Sequence, residues 1–147
     1  ITFPEHCMVG SFGAEFIPEV YPKNKDDHYY IVDTDNAPID EGAFNRARNI
    51  IIHKNKFDVF EGNSRTEEVL KLLNPKIVVV YGVALSFCVK YAVLGLVKRG
   101  YKVVLLLDCC KDLPGMDIDC FAKELEHYED FIEPTTINGL LEVNEND

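Results

Sequence analysis

Short apolar runs separated by stretches of helical periodicity constrain this chain more than any other feature. Asn49-Ile50-Ile51-Ile52-His53, Lys76–Tyr81 (KIVVVY) and Tyr101–Leu107 (YKVVLLL) are rich in β-branched and aliphatic residues, and each is short enough to be a strand. The continuous apolar character of Lys76–Tyr81 predicts burial on both faces, as in a parallel sheet. Between the runs the pattern changes period. Ser64 followed by Glu67 has the form of a capping box, which predicts a helix to about Leu73, with Val69, Leu70, Leu72 and Leu73 on its apolar face and Asn74-Pro75 as its stop. Phe87, Val89, Ala92, Val93, Leu96 and Val97 form a stripe that predicts a helix from about Ser86 to Arg99, ended by Gly100. Asp117 to about His127 reads as an amphipathic helix with Phe121 and Leu125 on one face. Ile132–Ile137 reads as a return to the sheet, and Glu142–Asp147 as a frayed tail. Alternating strands and helices of these lengths define an α/β domain with parallel strands and right-handed crossovers.

The N-terminal third is less regular. Pro4, Gly10, Gly13, Pro18 and Pro22 interrupt the first 23 residues too often for a long helix. Residues 24–45 are charged and turn-rich around one short strand candidate, Tyr29–Val32. Residues 24–48 are expected to form a surface insertion on a single domain of 147 residues.

Charge and cysteine usage narrow the function classes. Fifteen Lys and Arg against 25 Asp and Glu give a formal charge of −10, the wrong sign for displacing counterions from nucleic acid or for an anionic membrane. No nucleic-acid or membrane partner is expected. Five cysteines at irregular spacing (Cys7, Cys88, Cys109, Cys110, Cys120) make a poor disulfide framework, and a reducing, cytoplasmic setting fits them.

Ligands of open α/β sheets bind beyond the carboxyl ends of the strands. Three chemistry-bearing residues follow such ends: Lys54, Cys88 and Asp108. Cys88 lies in the first turn of a predicted helix, where backbone N–H groups and the helix dipole favour an anion such as a thiolate. The same N–H groups suit the oxyanion of a tetrahedral intermediate. Cys109, Cys110 and Cys120 lack this context. Asp108 reads as a cap.

Three segments carry a family resemblance. They are Phe3-Pro4-Glu5-His6-Cys7-Met8-Val9-Gly10-Ser11-Phe12-Gly13-Ala14-Glu15, then Ile52-His53-Lys54-Asn55-Lys56-Phe57-Asp58-Val59-Phe60, then Gly82-Val83-Ala84-Leu85-Ser86-Phe87-Cys88-Val89. In order and spacing they resemble the PxHCxxGTxGAE, HKxxYSAF and GVATxxCV segments of the isochorismatase-like cysteine hydrolases, a superfamily that includes nicotinamidases. Leu85 stands at a Thr of that pattern and Asp58 at a Ser.

The resemblance implies a Rossmann-like three-layer αβα fold with a mostly parallel sheet. It implies that Cys88 is a nucleophile forming a thioester as ammonia leaves a small amide, most simply nicotinamide. Lys54 would lower the pKa of Cys88 and stabilise the charged intermediate, and the Ala84 and Cys88 N–H groups would form the oxyanion hole beside a cis Val83–Ala84 peptide. Phe57 and Phe60 would flank the substrate. His6 would be one ligand of a divalent metal ion (zinc, iron or manganese), with no organic cofactor. A homo-oligomer is implied, as is a strand preceding this chain that carries a catalytic Asp and further metal ligands. Two other functions remain open at this point: hydrolysis of isochorismate or another small substrate on the same fold, and a catalytically degenerate interaction module.

Overall fold

The computed structural model describes residues 3–19, 29–116 and 118–144. The chain divides into two compact units, one of Ile1–Tyr30 with Asp40–Ile50 and one of Ile31–Ile39 with Ile51–Asp147.

In the first unit, the described part of the N-terminal segment has one 3₁₀ turn, Phe12–Ala14, as its proline and glycine content predicts. The second piece holds α1 (Glu41–Arg46). Asp40 caps α1 by accepting the Ala43 N–H at 3.0 Å, and the Tyr30 ring meets Phe44 edge-on. Sequence reasoning left α1 unassigned, because six residues carry too little periodicity to register.

The strands β1 (Tyr29–Val32) and β2 (Asn49–Ile52) pair in a two-stranded sheet. The second unit continues with α2 (Val59–Gly62), α3 (Thr66–Leu73), β3 (Ile77–Val83), a π-helical turn (Leu85–Val89) and α4 (Lys90–Val97). It closes with β4 (Lys102–Lys111), α5 (Ile118–Leu125), β5 (Ile132–Thr135) and α6 (Ile137–Asn144). The strands β3, β4 and β5 form a parallel sheet in that order. The α/β class with parallel strands is therefore the one observed.

Burial follows position in the sheet. Val103, Val104, Leu105 and Leu106 of the central strand β4 are all buried, as expected of a parallel strand covered on both faces. The expectation of two-sided burial fails for Ile77–Tyr81. β3 ends the sheet and alternates: Val78 and Val80 pack on the core, while Ile77, Val79, Tyr81 and Val83 are exposed. The core joins Leu85, Val89, Val93, Leu96 and Val97 to Val103, Leu105, Phe121 and Ile132. Leu85 thus serves as a core residue, which explains an apolar side chain at that position.

Several boundaries differ from the sequence expectations: β4 runs on to Lys111, so Asp108 lies within the strand and not beyond its end, and β5 stops at Thr135. Ser64 does not cap α3; its hydroxyl donates to Asn36 Oδ1, and Arg65 occupies the cap position. The long helix predicted from Ser86 begins instead as the π turn and becomes α-helical only at Lys90. Residues 142–144 of the expected frayed tail are the last of α6, and residues 145–147 lie outside the described residues.

Candidate functional site

Lys54 and Cys88, 34 positions apart, meet in the structure. The Lys54 ammonium donates to Cys88 Sγ at 3.3 Å and to the Lys56 carbonyl at 2.9 Å. The second bond folds Lys54 back over its own loop and aims the ammonium.

The loop that carries Lys54 is held from below by Gly62 and Asn63. A Cβ on Gly62 would lie 2.9 Å from the Lys56 nitrogen and 3.0 Å from Lys54 Cβ, so only glycine permits this approach. Asn63 is buried, and its amide nitrogen reaches the carbonyls of Val32 (3.0 Å), Asp33 (3.2 Å) and His53 (2.8 Å). It ties together the carboxyl ends of β1 and β2, directly before Lys54. Its Oδ1 accepts the Arg65 N–H at 2.9 Å, which explains why Ser64 is not needed as a cap. At the same ends Asp33 meets His53 Nδ1 at 3.4 Å. The Thr34 N–H and then the His53 ring hold the Asp33 carboxyl below its ordinary value.

Cys88 is placed by the end of β3. The Val83–Ala84 peptide is cis, as the resemblance implies. The Ala84 carbonyl then accepts the N–H groups of Phe87 (3.1 Å) and Val89 (3.2 Å), which winds the turn wide and presents Cys88, part-buried, between them. The Phe87 ring stacks obliquely with Phe57 at 5.5 Å, so Phe57 packs against the residue next to the sulfur.

Phe60 takes a different place. Its ring lies against α4, so close to Gly95 that a Cβ there would sit 2.3 Å from it, and the Arg99 guanidinium covers it at 3.8 Å. Asp58 caps α2 through the Phe60 N–H at 2.8 Å, which accounts for a carboxylate at that position. Asp108 accepts the Ile137 N–H at 3.1 Å and caps α6. Burial, with Asp108 adding to it, pushes the Cys109 thiol above the ordinary cysteine value, and burial does the same for Cys110 against the opposing bond from Gly82.

His6 belongs to the first unit. It is exposed and its Nδ1 lies 2.8 Å from the Pro4 carbonyl. If Nδ1 carries the proton, Nε2 keeps the lone pair a metal ion requires. Among the described residues, however, no group of three or more His, Cys, Asp or Glu side chains is arranged to hold a metal ion. His6 brings no companion ligands with it, and these residues do not by themselves make a metal centre.

The structure thus brings Lys54, which follows β2, against Cys88, on the turn that follows β3. Residues 28–137 match the isochorismatase domain family, and the chain belongs to that family. A nicotinamidase of Saccharomyces cerevisiae is 28% identical over 110 residues, which is 74% of this chain and 46% of that enzyme. The chain therefore spans about half the length of this relative. An isochorismatase-like hydrolase from Alkaliphilus metalliredigens superposes with a TM-score of 0.65 at 21% identity, over 95% of this chain and 62% of that one. A nicotinamidase/pyrazinamidase from Acinetobacter baumanii gives the same TM-score and identity, over 95% and 61%. At these identities the two structures speak to the fold.

Asn63, Gly62 and Asp112 escaped sequence reasoning. For Asp112, which directly follows β4, the signal was present: a carboxylate beyond a strand's carboxyl end, within reach of a neighbouring helix start.

Proposed function

We propose that this chain carries the nucleophile of a cysteine amidohydrolase acting on a small amide, with nicotinamide, yielding nicotinate and ammonia, as the first substrate to test. The observation that carries the reading is the 3.3 Å contact between Lys54 Nζ and Cys88 Sγ. The resemblance to the yeast enzyme supports the choice of substrate.

In this mechanism the Cys88 thiolate attacks the amide carbonyl carbon. The carbonyl oxygen becomes an oxyanion, received by the N–H groups of Ala84 and Cys88. The C–N bond breaks, the nitrogen takes up a proton from solvent water and ammonia leaves. What remains is a thioester on Cys88. Water then adds to that carbonyl, the C–S bond breaks, and the carboxylic acid departs as the thiolate is restored and one proton returns to solvent. Lys54 offsets the charge on sulfur at the start and end of the cycle. Phe57, in contact with Phe87, provides an aromatic wall beside the sulfur for a planar substrate.

Ammonia release from nicotinamide by the full-length protein, beside Cys88→Ala, tests the reading. Release that disappears in the variant is expected. If the folded protein releases ammonia neither from nicotinamide nor from a panel of small amides, the amidohydrolase reading is wrong, and a degenerate interaction module is favoured. Turnover that survives in Cys88→Ala would point to chemistry that does not use the thiol, as for isochorismate.

A further inference from the structure

Ser86 stands two residues before Cys88, inside the turn that presents the sulfur. Its backbone N–H donates to Asp112 Oδ2 at 3.1 Å, and its hydroxyl donates to the same oxygen. The other carboxylate oxygen, Oδ1, accepts the Leu113 N–H at 2.9 Å. Both carboxylate oxygens are thus committed, two of the three donors coming from one residue of the Cys88 turn.

Strand register brings Asp112 there. β3 and β4 pair in step from Ile77↔Lys102 to Val80↔Leu105; the register then jumps, and Gly82 faces Cys110 while Val83 faces Lys111. Two residues along β3 are matched by five along β4. This carries β4 forward, so that Asp112, the residue after Lys111, arrives beside the Cys88 turn. Without the jump the same pairing would end on a different side chain.

We propose that Asp112 is a positioning residue: by gripping both donors of Ser86 it fixes the turn that presents Cys88 to Lys54. The inference rests on the reading of Cys88 as a nucleophile and adds to it a residue that touches neither the sulfur nor the substrate. The carboxyl is suited to the task. Burial pushes it up, but the bonds from the Ser86 hydroxyl, the Leu113 N–H and the Ser86 N–H outweigh this and hold it below its ordinary value, so it stays an acceptor. The positive charge beside the sulfur comes from Lys54, so Asp112 acts through geometry and not through charge.

The test is the rate at which iodoacetamide labels Cys88 in the full-length protein at neutral pH, followed by peptide mapping with Cys7 as internal reference. Asp112→Ala is expected to slow Cys88 about tenfold, the scale of one charge-assisted hydrogen bond, with a native far-ultraviolet dichroism spectrum. Asp112→Asn, which keeps an oxygen for Ser86 but no charge, is expected to restore the rate to within about threefold of the parent. A folded Asp112→Ala protein that labels like the parent, or Asn and Ala variants slowed equally, would overturn the proposal. If Asp112→Ala does not fold, Ser86→Ala decides: slower labelling supports the proposal and an unchanged rate refutes it. Labelling needs no amide turnover, so a parent protein that hydrolyses no amide yet shows the Asp112 effect would overturn the amidohydrolase reading alone.

Discussion

Lys54 reaches Cys88 because Gly62 leaves room for the backbone of Lys54–Lys56 to pass. Alanine at 62 would put a methyl 2.9 Å from the Lys56 nitrogen, and the loop would have to lift. Overpacking of this kind costs about 1–3 kcal/mol of stability. Its effect on catalysis is expected to be larger, since misplacing a reacting group by about 1 Å costs about a hundredfold in rate. Comparing the urea midpoint with ammonia release in Gly62→Ala checks this imbalance. Asp112 gives a pH dependence of definite sign. Its folded-state value lies below the ordinary 3.8, so the charged form is favoured by folding. Its contribution is full above the unfolded-state value and disappears as the pH falls through the folded-state value. The difference in melting temperature between the parent and Asp112→Ala is therefore expected at neutral pH and should vanish in strong acid. At this scale the sequence pointed to the two residues that the structure brings together but not to their supports. Cys88 and Lys54 announce themselves by type and by their place after strands. Gly62 matters through the close approach of the Lys54–Lys56 backbone, which appears only once the loop has folded, and Asp112, although its place after a strand was a signal, reaches the Cys88 turn through the jump in strand register.

Elements were legible where their period was long and their burial uniform. The first part of β4 and the stripe of α4 read correctly because Val93, Leu96 and Val97 share one buried cluster with Val103 and Leu105, but β4 runs four residues past the expected end at Leu107. The start of α3 misled because Ser64 and Glu67 satisfy the capping-box pattern while Asn63 takes over the work, a substitution possible only once β1 and β2 have come together. The π turn was hidden for a related reason: an apolar stripe does not distinguish the first wide turn from the regular turns after it. Asn63 yields the prediction at this level. Its amide serves three carbonyls and its oxygen one N–H, all near the carboxyl ends of β1 and β2. Asn63→Ala should lower stability by about 1–3 kcal/mol for polar groups left unpaired. Asn63→Asp should lower it further, because a carboxylate would face three carbonyl oxygens. Urea unfolding of the two variants ranks them.

For the whole molecule, class and family were carried by the alternation of strands and helices and by three short segments in the right order. The exposure of β3 was not. Ile77, Val79, Tyr81 and Val83 look as apolar as the residues of β4, and only the strand order places them at the end of the three-stranded sheet. No helix among the described residues is long and apolar enough to cross a membrane. The central claim is that Cys88 forms a covalent bond to the acyl carbon of an amide. Quenching the full-length protein with acid during turnover of nicotinamide, then mapping its peptides by mass spectrometry, tests that directly. The account predicts a nicotinoyl group on the peptide containing Cys88, absent from Cys88→Ala and slower to form in Lys54→Met. Turnover with no acyl group on Cys88, or an acyl group carried by another residue and undiminished in Cys88→Ala, would contradict it.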